Sequence, residues 1–524
     1  MAQQQVQGVA GLKKHDIKVS GIVFMLYCLV AAGAFGIEEM IPEAGPGMTL
    51  ILLIIFPIIW AYPISNMVAE CGSVLPSEGG VYVWVKEAFG EFWGFQAGWW
   101  GTVSTYITNG VYVALVAGYV SQMIPMSEVA IHVLKIGMIL IFTIINLLGL
   151  KEVGKVSTIL SILIVLAFAL VALVGFLNWN TNPMDPIMPE GYSFIDGVGG
   201  GICICVWMYC GYECISNMAG EVKNPQVIPK GLLIAMPLVA LTYVLPTLGG
   251  LASLPAGTWE NWSTDGGFTG ETVGYATVLT ANLGPAWGYI FLVVAIVTLI
   301  LAQKDFTTLV SMEVVFMLAL YIILPLAVIK LRKKLPVEER RKRDLFIMPG
   351  GRAGLIFYCG FPIAIAVIAL LINGTDYFVM GLLATASGPV AYVIVKAVYG
   401  GLSKNDPEHY PLNTRTRLAV GDTVRIGAYL IIAGAFGFLG QFWLRWYEID
   451  YGEWGTDDYD MMGDIIPQVL DILKWAGLAA LAVGIIVVAI GWKKDRPAPE
   501  VRPDIDALLD KYLNEEKRES FFDD

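Results

Sequence analysis

Residues 17–41 read IKVSGIVFMLYCLVAAGAFGIEEMI, a run long and apolar enough to span a bilayer yet broken against its own pattern. Gly33-Ala34-Phe35-Gly36 interrupts the helix, and Glu38 and Glu39 follow at once. Each glycine weakens a helix by about 1 kcal/mol against alanine, and a carboxylate at membrane depth costs about 2.5–3.5 kcal/mol on the insertion scale. A plain anchor carries neither feature. Helices broken at mid-membrane, with freed backbone groups facing a cavity, are how solute sites are built inside a bilayer. Small residues that merely admit a neighbouring helix would give the same local pattern.

The rest of the chain is built on the same scale. Of 524 residues, 56% are hydrophobic and 15% charged, and the mean hydropathy is +0.66, so polar surface is too scarce to cover a soluble globule of this size. The composition is that of an all-α polytopic membrane protein. A net charge of −12 argues against nucleic acid as a partner. The polar stretch 1–16 and the absence of a small-residue cleavage site mark residues 17–41 as a retained first span. The seven cysteines offer neither a disulfide framework nor a zinc spacing.

Twelve further apolar runs follow: Met48–Glu70, Phe92–Gln122, Val129–Leu150, Val156–Leu177, Val198–Met218, Gly231–Leu254, Leu283–Ala302, Phe306–Lys330, Gly354–Ile372, Phe378–Tyr399, Ile426–Trp443 and Val469–Ile490. Cytoplasmic loops are enriched in Lys and Arg, so Lys13, Lys14 and Lys18 place the N-terminus inside. Alternation then puts Lys151, Lys155, Lys223 and Lys230 inside and the loop Pro255–Asn282, with Trp259, Glu260, Trp262 and Asp265, outside. Beyond that point every loop is reversed. The basic run 330–334, Arg340 to Arg343, Lys404, Arg415, Arg417, Arg425, Lys493 and Lys494 would all lie outside, and the acidic loop 448–464 inside. One additional crossing near 283–303 repairs them all, so the pattern predicts a span missing or fused there.

The sixth run, with its flanks, pairs with the first. It too is interrupted, by GlyGlyGly at 199–201, then Trp207-Met208-Tyr209-Cys210-Gly211-Tyr212-Glu213, and exits through Gly220-Glu221-Val222-Lys223-Asn224-Pro225. With Gly33-Ala34-Phe35-Gly36 in the first run, these motifs resemble the amino acid-polyamine-organocation superfamily over roughly residues 17–399. The resemblance implies an inverted five-helix repeat, residues 17–177 and 198–331, with the second copy short by one helix. Residues 354–399 add two following helices, and 426–490 two extra C-terminal transmembrane helices. It implies alternating access around unwound first and sixth helices. The pattern looks like polyamine uptake permeases and arginine/agmatine exchangers, in which a Trp stands six residues before the acidic residue of the sixth helix, as Trp207 does before Glu213, and an Asn recurs in the third helix, matched by Asn109.

The candidate substrate-binding residues are therefore Gly33, Ala34, Phe35, Gly36, Glu38, Glu39, Asn109, Trp207, Tyr209, Cys210, Gly211 and Glu213. Amides freed at the first break can hold an anion. The Trp207 indole offers a face to an ammonium or guanidinium. Glu213, Glu38 and Glu39 can neutralise a cation or carry a proton. Each also has a structural reading: Glu213 bonded to the unwound first helix, Glu38 and Glu39 lining a vestibule, Trp207 packing, Asn109 bonding a neighbouring helix. Cys203, Cys210 and Cys214 share a face as small packing residues. Ser157–Leu177 lacks the lysine that many proton-coupled relatives carry in the fifth helix, which leaves the coupling ion open. No cofactor and no catalytic constellation is expected, and an ATP-binding loop is lacking.

These features predict a permease for cationic amino acids or polyamines in the plasma membrane, N-terminus cytoplasmic, with protons as a further partner and the lipid bilayer as solvent. A neutral or aromatic amino acid permease, and a transport-incompetent sensor or partner-dependent subunit, stand as alternatives. Residues 491–524 read as a cytoplasmic tail with a short amphipathic helix over 504–518, Ile505, Leu508, Leu509 and Leu513 being at helical spacing.

Overall fold

A computed structural model of the chain describes residues 17–77, 79–124, 126–148, 153–222, 224, 227–263, 273–302, 307–405, 411–451 and 463–497. The expected amphipathic tail, and the lysines at 13, 14, 151 and 223, fall outside them. Two isolated bridges, Trp262 with Val273 and Leu412 with Ala419, are the β pairings among the described residues. Everything else regular is helical. The protein is an all-α polytopic membrane protein, and among the described residues eight helices are long and apolar enough to cross a bilayer.

Each apolar run of the sequence coincides with a helical segment. In order they are α1 (Val19–Ala31) with α2 (Met40–Ala44), α3 (Pro46–Phe56) with α4 (Tyr62–Val74), the short α5 (Gly80–Phe89), then α6 (Glu91–Met123), α7 (Glu128–Leu148), α8 (Val153–Leu177), α9 (Phe194–Met208) and α10 (Val227–Ser253). There follow α11 (Tyr275–Leu283), α12 (Pro285–Ala302), α13 (Thr307–Lys334), α14 (Val337–Lys342), α15 (Gly351–Ile372), α16 (Gly374–Tyr399), α17 (Leu402–Asn405), α18 (Asp422–Leu444) and α19 (Ile466–Lys494).

Among the first six runs, three change pitch within the span. The first passes from α1 into a 3₁₀ stretch, Ala32–Glu39, before α2. The second is interrupted by a π turn, Pro57–Ala61; Pro57 brings no N–H to its helical turn, and such turns occur mostly as single insertions within α-helices. The sixth leaves α9 at Met208 and resumes as a 3₁₀ stretch, Tyr212–Glu221. The glycine triplet at 199–201, which the sequence suggested as part of that interruption, stays helical. Its role is close approach: a Cβ on Gly200 would lie 2.5 Å from the Glu43 carbonyl oxygen, beside α2.

Polar clasps sort the helix ends onto two faces. On one face Glu70, at the end of α4, accepts from Arg332 Nε (2.7 Å), Arg340 Nη1 (2.5 Å) and the Met348 amide (2.8 Å). Lys334 Nζ reaches the Glu87 carbonyl of α5 at 2.8 Å, and Lys396 at the end of α16 pairs with Glu91 at the start of α6. On the opposite face the Met48 amide donates to Ile187 O (2.7 Å) and the Thr181 amide to Ala252 O (3.0 Å). Helix α10 ends on this second face and α13 ends on the first. Helices α12 and α13 together therefore carry the chain across once, not there and back.

The last two helices form a hairpin at backbone contact. A Cβ on Gly434 would sit 2.6 Å from Leu481 N and 2.8 Å from Gly477 O, and one on Gly484 would sit 2.8 Å from Ile431 N and 2.9 Å from Gly427 O. The spacing of seven on both helices keeps the glycines on the shared seam. The hairpin is tied to α16 at both ends, where Tyr392 donates to Asp422, and Thr375, through its amide and hydroxyl, donates to Glu448.

Candidate solute site at paired helix breaks

Where α1 and α9 lose their α-helical pitch, carbonyls are freed from their usual partners. One side chain takes up both breaks. Tyr243 of α10, fully buried, directs its hydroxyl at Val30 O (2.6 Å) and at Met208 O (2.9 Å). The breaks also touch: a Cβ on Gly211 would lie 3.7 Å from Val30 Cγ2. Gly211 itself adopts φ +96°, ψ −7°, a left-handed conformation that costs a residue bearing a Cβ about 1–2 kcal/mol. Tyr243→Phe leaves two buried carbonyls without this donor, and the thermal midpoint in detergent should fall by the equivalent of about 1–3 kcal/mol; an unchanged midpoint would mean that the hydroxyl carries no weight.

Around Gly211 the structure gathers Trp207, Glu213, Tyr321 and Trp60. Glu213, buried, accepts from Tyr321 Oη at 2.7 Å, and the same phenol oxygen faces the Gly211 amide at 3.4 Å. The sequence offered a bond from Glu213 to the first helix, and the partner found is instead on α13. Tyr321 sets its ring edge-on to Trp60 of the π turn, centroids 5.0 Å apart. Trp207 is 4% exposed. Its carbonyl accepts from the Cys210 amide at 3.2 Å and from Cys210 Sγ at 2.7 Å. Tyr209 is committed elsewhere: its hydroxyl donates to Leu53 O at 2.9 Å and its ring packs edge-on to Tyr243 at 5.0 Å. The Trp60 indole N–H and the Tyr212 hydroxyl are buried with no hydrogen-bond partner among the described residues. Unpaired buried groups of this kind are costly unless a ligand or water meets them.

The residues of the first break form a second group. Gly33 lies in the 3₁₀ stretch, and Ala34, Phe35 and Gly36 are buried in it. The Phe35 ring packs on Phe168 (4.9 Å), Tyr119 (6.1 Å) and Phe291 (6.1 Å). Glu38, 1% exposed, shares a hydrogen bond with the Tyr119 hydroxyl of α6 and accepts from the Tyr275 amide at the start of α11, the latter at 2.6 Å. Glu39, half-buried, accepts from Ser263 Oγ at 3.1 Å. Both carboxylates thus meet the loop after α10. Asn109 lies on α6, and its side chain is outside the described set.

Tyr243, Tyr321, Trp60 and Tyr119 escaped the sequence reading. A tyrosine inside an apolar run is the signal available, since its hydroxyl needs a partner at membrane depth.

A family model described as amino acid permease matches residues 19–298, or 280 of 524. The chain belongs to the amino acid permease family. It is 30% identical over 284 residues to a probable polyamine transporter of Arabidopsis thaliana, covering 52% of this chain and 53% of that protein. It is 29% identical over 284 residues to polyamine transporter PUT1 of Oryza sativa subsp. japonica, covering 52% and 49%. The serine/threonine exchanger SteT of Bacillus subtilis is 24% identical over 182 residues, covering 34% and 40%. The chain spans about half the length of the curated relatives it matches. The matched stretch contains both helix breaks, Trp207, Glu213 and Tyr243, and stops before Tyr321.

Proposed function

We propose that the protein is a secondary active transporter for polyamines or cationic amino acids, working by alternating access through the paired breaks, with proton coupling or exchange. The observation that carries this reading is the Gly211 cluster, where buried Glu213 bonds Tyr321, Tyr321 packs edge-on to Trp60, the Trp60 indole N–H has no partner among the described residues, and Trp207 stands just before the same break. A carboxylate supplies charge for an ammonium, and an indole face adds about 2 kcal/mol to a desolvated cation. The relatives named as polyamine transporters favour the same substrate class. On this reading the face bearing Glu70, Arg332 and Arg340 is cytoplasmic, because the basic loops gather there, the N-terminus is on that side, and the membrane is the plasma membrane.

The test is uptake by purified protein in proteoliposomes, with putrescine, agmatine, arginine, serine and phenylalanine as solutes. Trp207→Leu and Glu213→Gln should each reduce uptake of the cationic solutes about tenfold or more. Uptake of neutral amino acids, unchanged in both variants, would sink the proposal in favour of a neutral permease.

A second reading rests on the single net crossing of α12 and α13. A second repeat short of one helix leaves the bundle incomplete, which favours a partner-dependent or transport-incompetent protein. Binding of putrescine without flux would select that reading.

A further inference from the structure

Glu38 is a buried carboxyl, and the groups that face it among the described residues are neutral or negative. Its electrostatic neighbours are Tyr119 from α6, Tyr275 from α11 and Glu39 on its own segment. None of the lysines, arginines or histidines among the described residues pairs with it. By contrast Glu70 holds two arginines and Glu91 a lysine. An ionised carboxylate without a cation is the costly way to bury this group.

Hydrogen counting leads to the same place. The Tyr119 hydroxyl has one hydrogen and faces two acceptors, Phe35 O at 2.9 Å and Glu38 Oε2. If Glu38 is charged, one of those contacts sets two acceptor atoms competing for a single hydrogen. If Glu38 carries a proton on Oε2, it donates to the Tyr119 oxygen, Tyr119 donates to Phe35 O, and the Tyr275 amide donates to Oε1. Every group is then satisfied once. The carboxyl fits here because residue 274, between the bridge residue Val273 and Tyr275, has no side chain to occupy its place.

We infer that Glu38 is a proton-binding residue whose protonated form joins the first helix break to α6 and to the start of α11, closing the second face of the protein. Loss of the proton to solvent breaks the carboxyl O–H bond, leaves Tyr119 to choose between Phe35 O and the carboxylate, and loosens α11. The inference rests on the transport reading for its role, as the coupling site of that cycle, but neither of its readouts needs a substrate.

The experiment uses the full chain in lipid vesicles. Infrared difference spectra between mildly acid and mildly alkaline pH should contain a protonated-carboxyl C=O band that disappears in Glu38→Gln and shifts in frequency in Tyr119→Phe. In parallel, Val273→Cys, at a position 8% exposed in this structure, is labelled with a membrane-impermeant maleimide, subtracting the label taken by protein without it. Its labelling rate should rise severalfold with pH and become independent of pH when combined with Glu38→Gln. A band that survives Glu38→Gln, or labelling that keeps its pH response there, overturns the inference. Should Glu38→Gln fail to fold, the Tyr119→Phe spectrum decides, an unshifted band being fatal. If both readouts behave as expected while no solute is taken up, the transport reading fails and the proton site stands.

Discussion

Glu70→Ala should cost about 3–5 kcal/mol, the largest single loss expected from this chain. Glu70 is wholly buried, and its two oxygens take donors from Arg332, Arg340 and the Met348 amide, drawing three separate parts of the polypeptide onto the end of α4. Removing the carboxylate leaves Arg340, 2% exposed, as an uncompensated guanidinium. Burial pulls Arg340 below its ordinary value, and the Glu70 charge works against that pull, so the alanine variant keeps the guanidinium charged with nothing to offset its burial. Glu70→Gln keeps the shape and part of the hydrogen bonding and should fall between. The measurement is the thermal midpoint of fluorescence-detected size-exclusion profiles. A wild-type midpoint for Glu70→Ala would show that the clasp is dispensable.

The second large effect is expected at the C-terminal hairpin. Gly434→Val places a branched side chain where the Leu481 amide already lies 2.6 Å from the built Cβ, and Gly484→Val does the same against Ile431 N at 2.8 Å. Neither neighbour is the end of a flexible side chain, so α18 and α19 must separate along their length. Overpacking in a tight core costs about 1–3 kcal/mol per site. The double variant should lose about twice that and expose the hairpin to limited proteolysis. Gly360→Ala in α15 is the control, because its Cβ meets nothing within 4 Å, and alanine there should be neutral or slightly stabilising. Equal proteolysis of the double variant and the control would refute backbone contact as the source of the hairpin's stability.

The positions of the helices were legible because an apolar run of bilayer length admits few other structures. The first break was legible for a local reason: Gly33 and Gly36 with two carboxylates beside them contradict the pattern on either side. The exit of the sixth span was legible through Gly211 and Glu213. Misplacing part of that break at Gly199–Gly201 came from reading glycine as a helix breaker where its smallness is what counts, since α2 packs on it. The partners of the site residues were not legible. Glu70 finds its arginines 262 and 270 residues away, and Tyr321 and Tyr243 sit in apolar runs where a tyrosine reads as filling. The π turn at Trp60 was hidden because a proline within a membrane helix has several outcomes. The glycine seam of α18 and α19 shows only when two distant heptad spacings are compared.

The Tyr243 hydroxyl has a single hydrogen for two carbonyls, Val30 O and Met208 O. A yoke of this kind lets neither helix half swing by itself: widening one gap hands the hydrogen to the other side, and the second half is held more firmly just as the first comes loose. The two broken helices should then bend in alternation, and in Tyr243→Phe, read by distance labels on α1 and α9, their motions should lose that correlation.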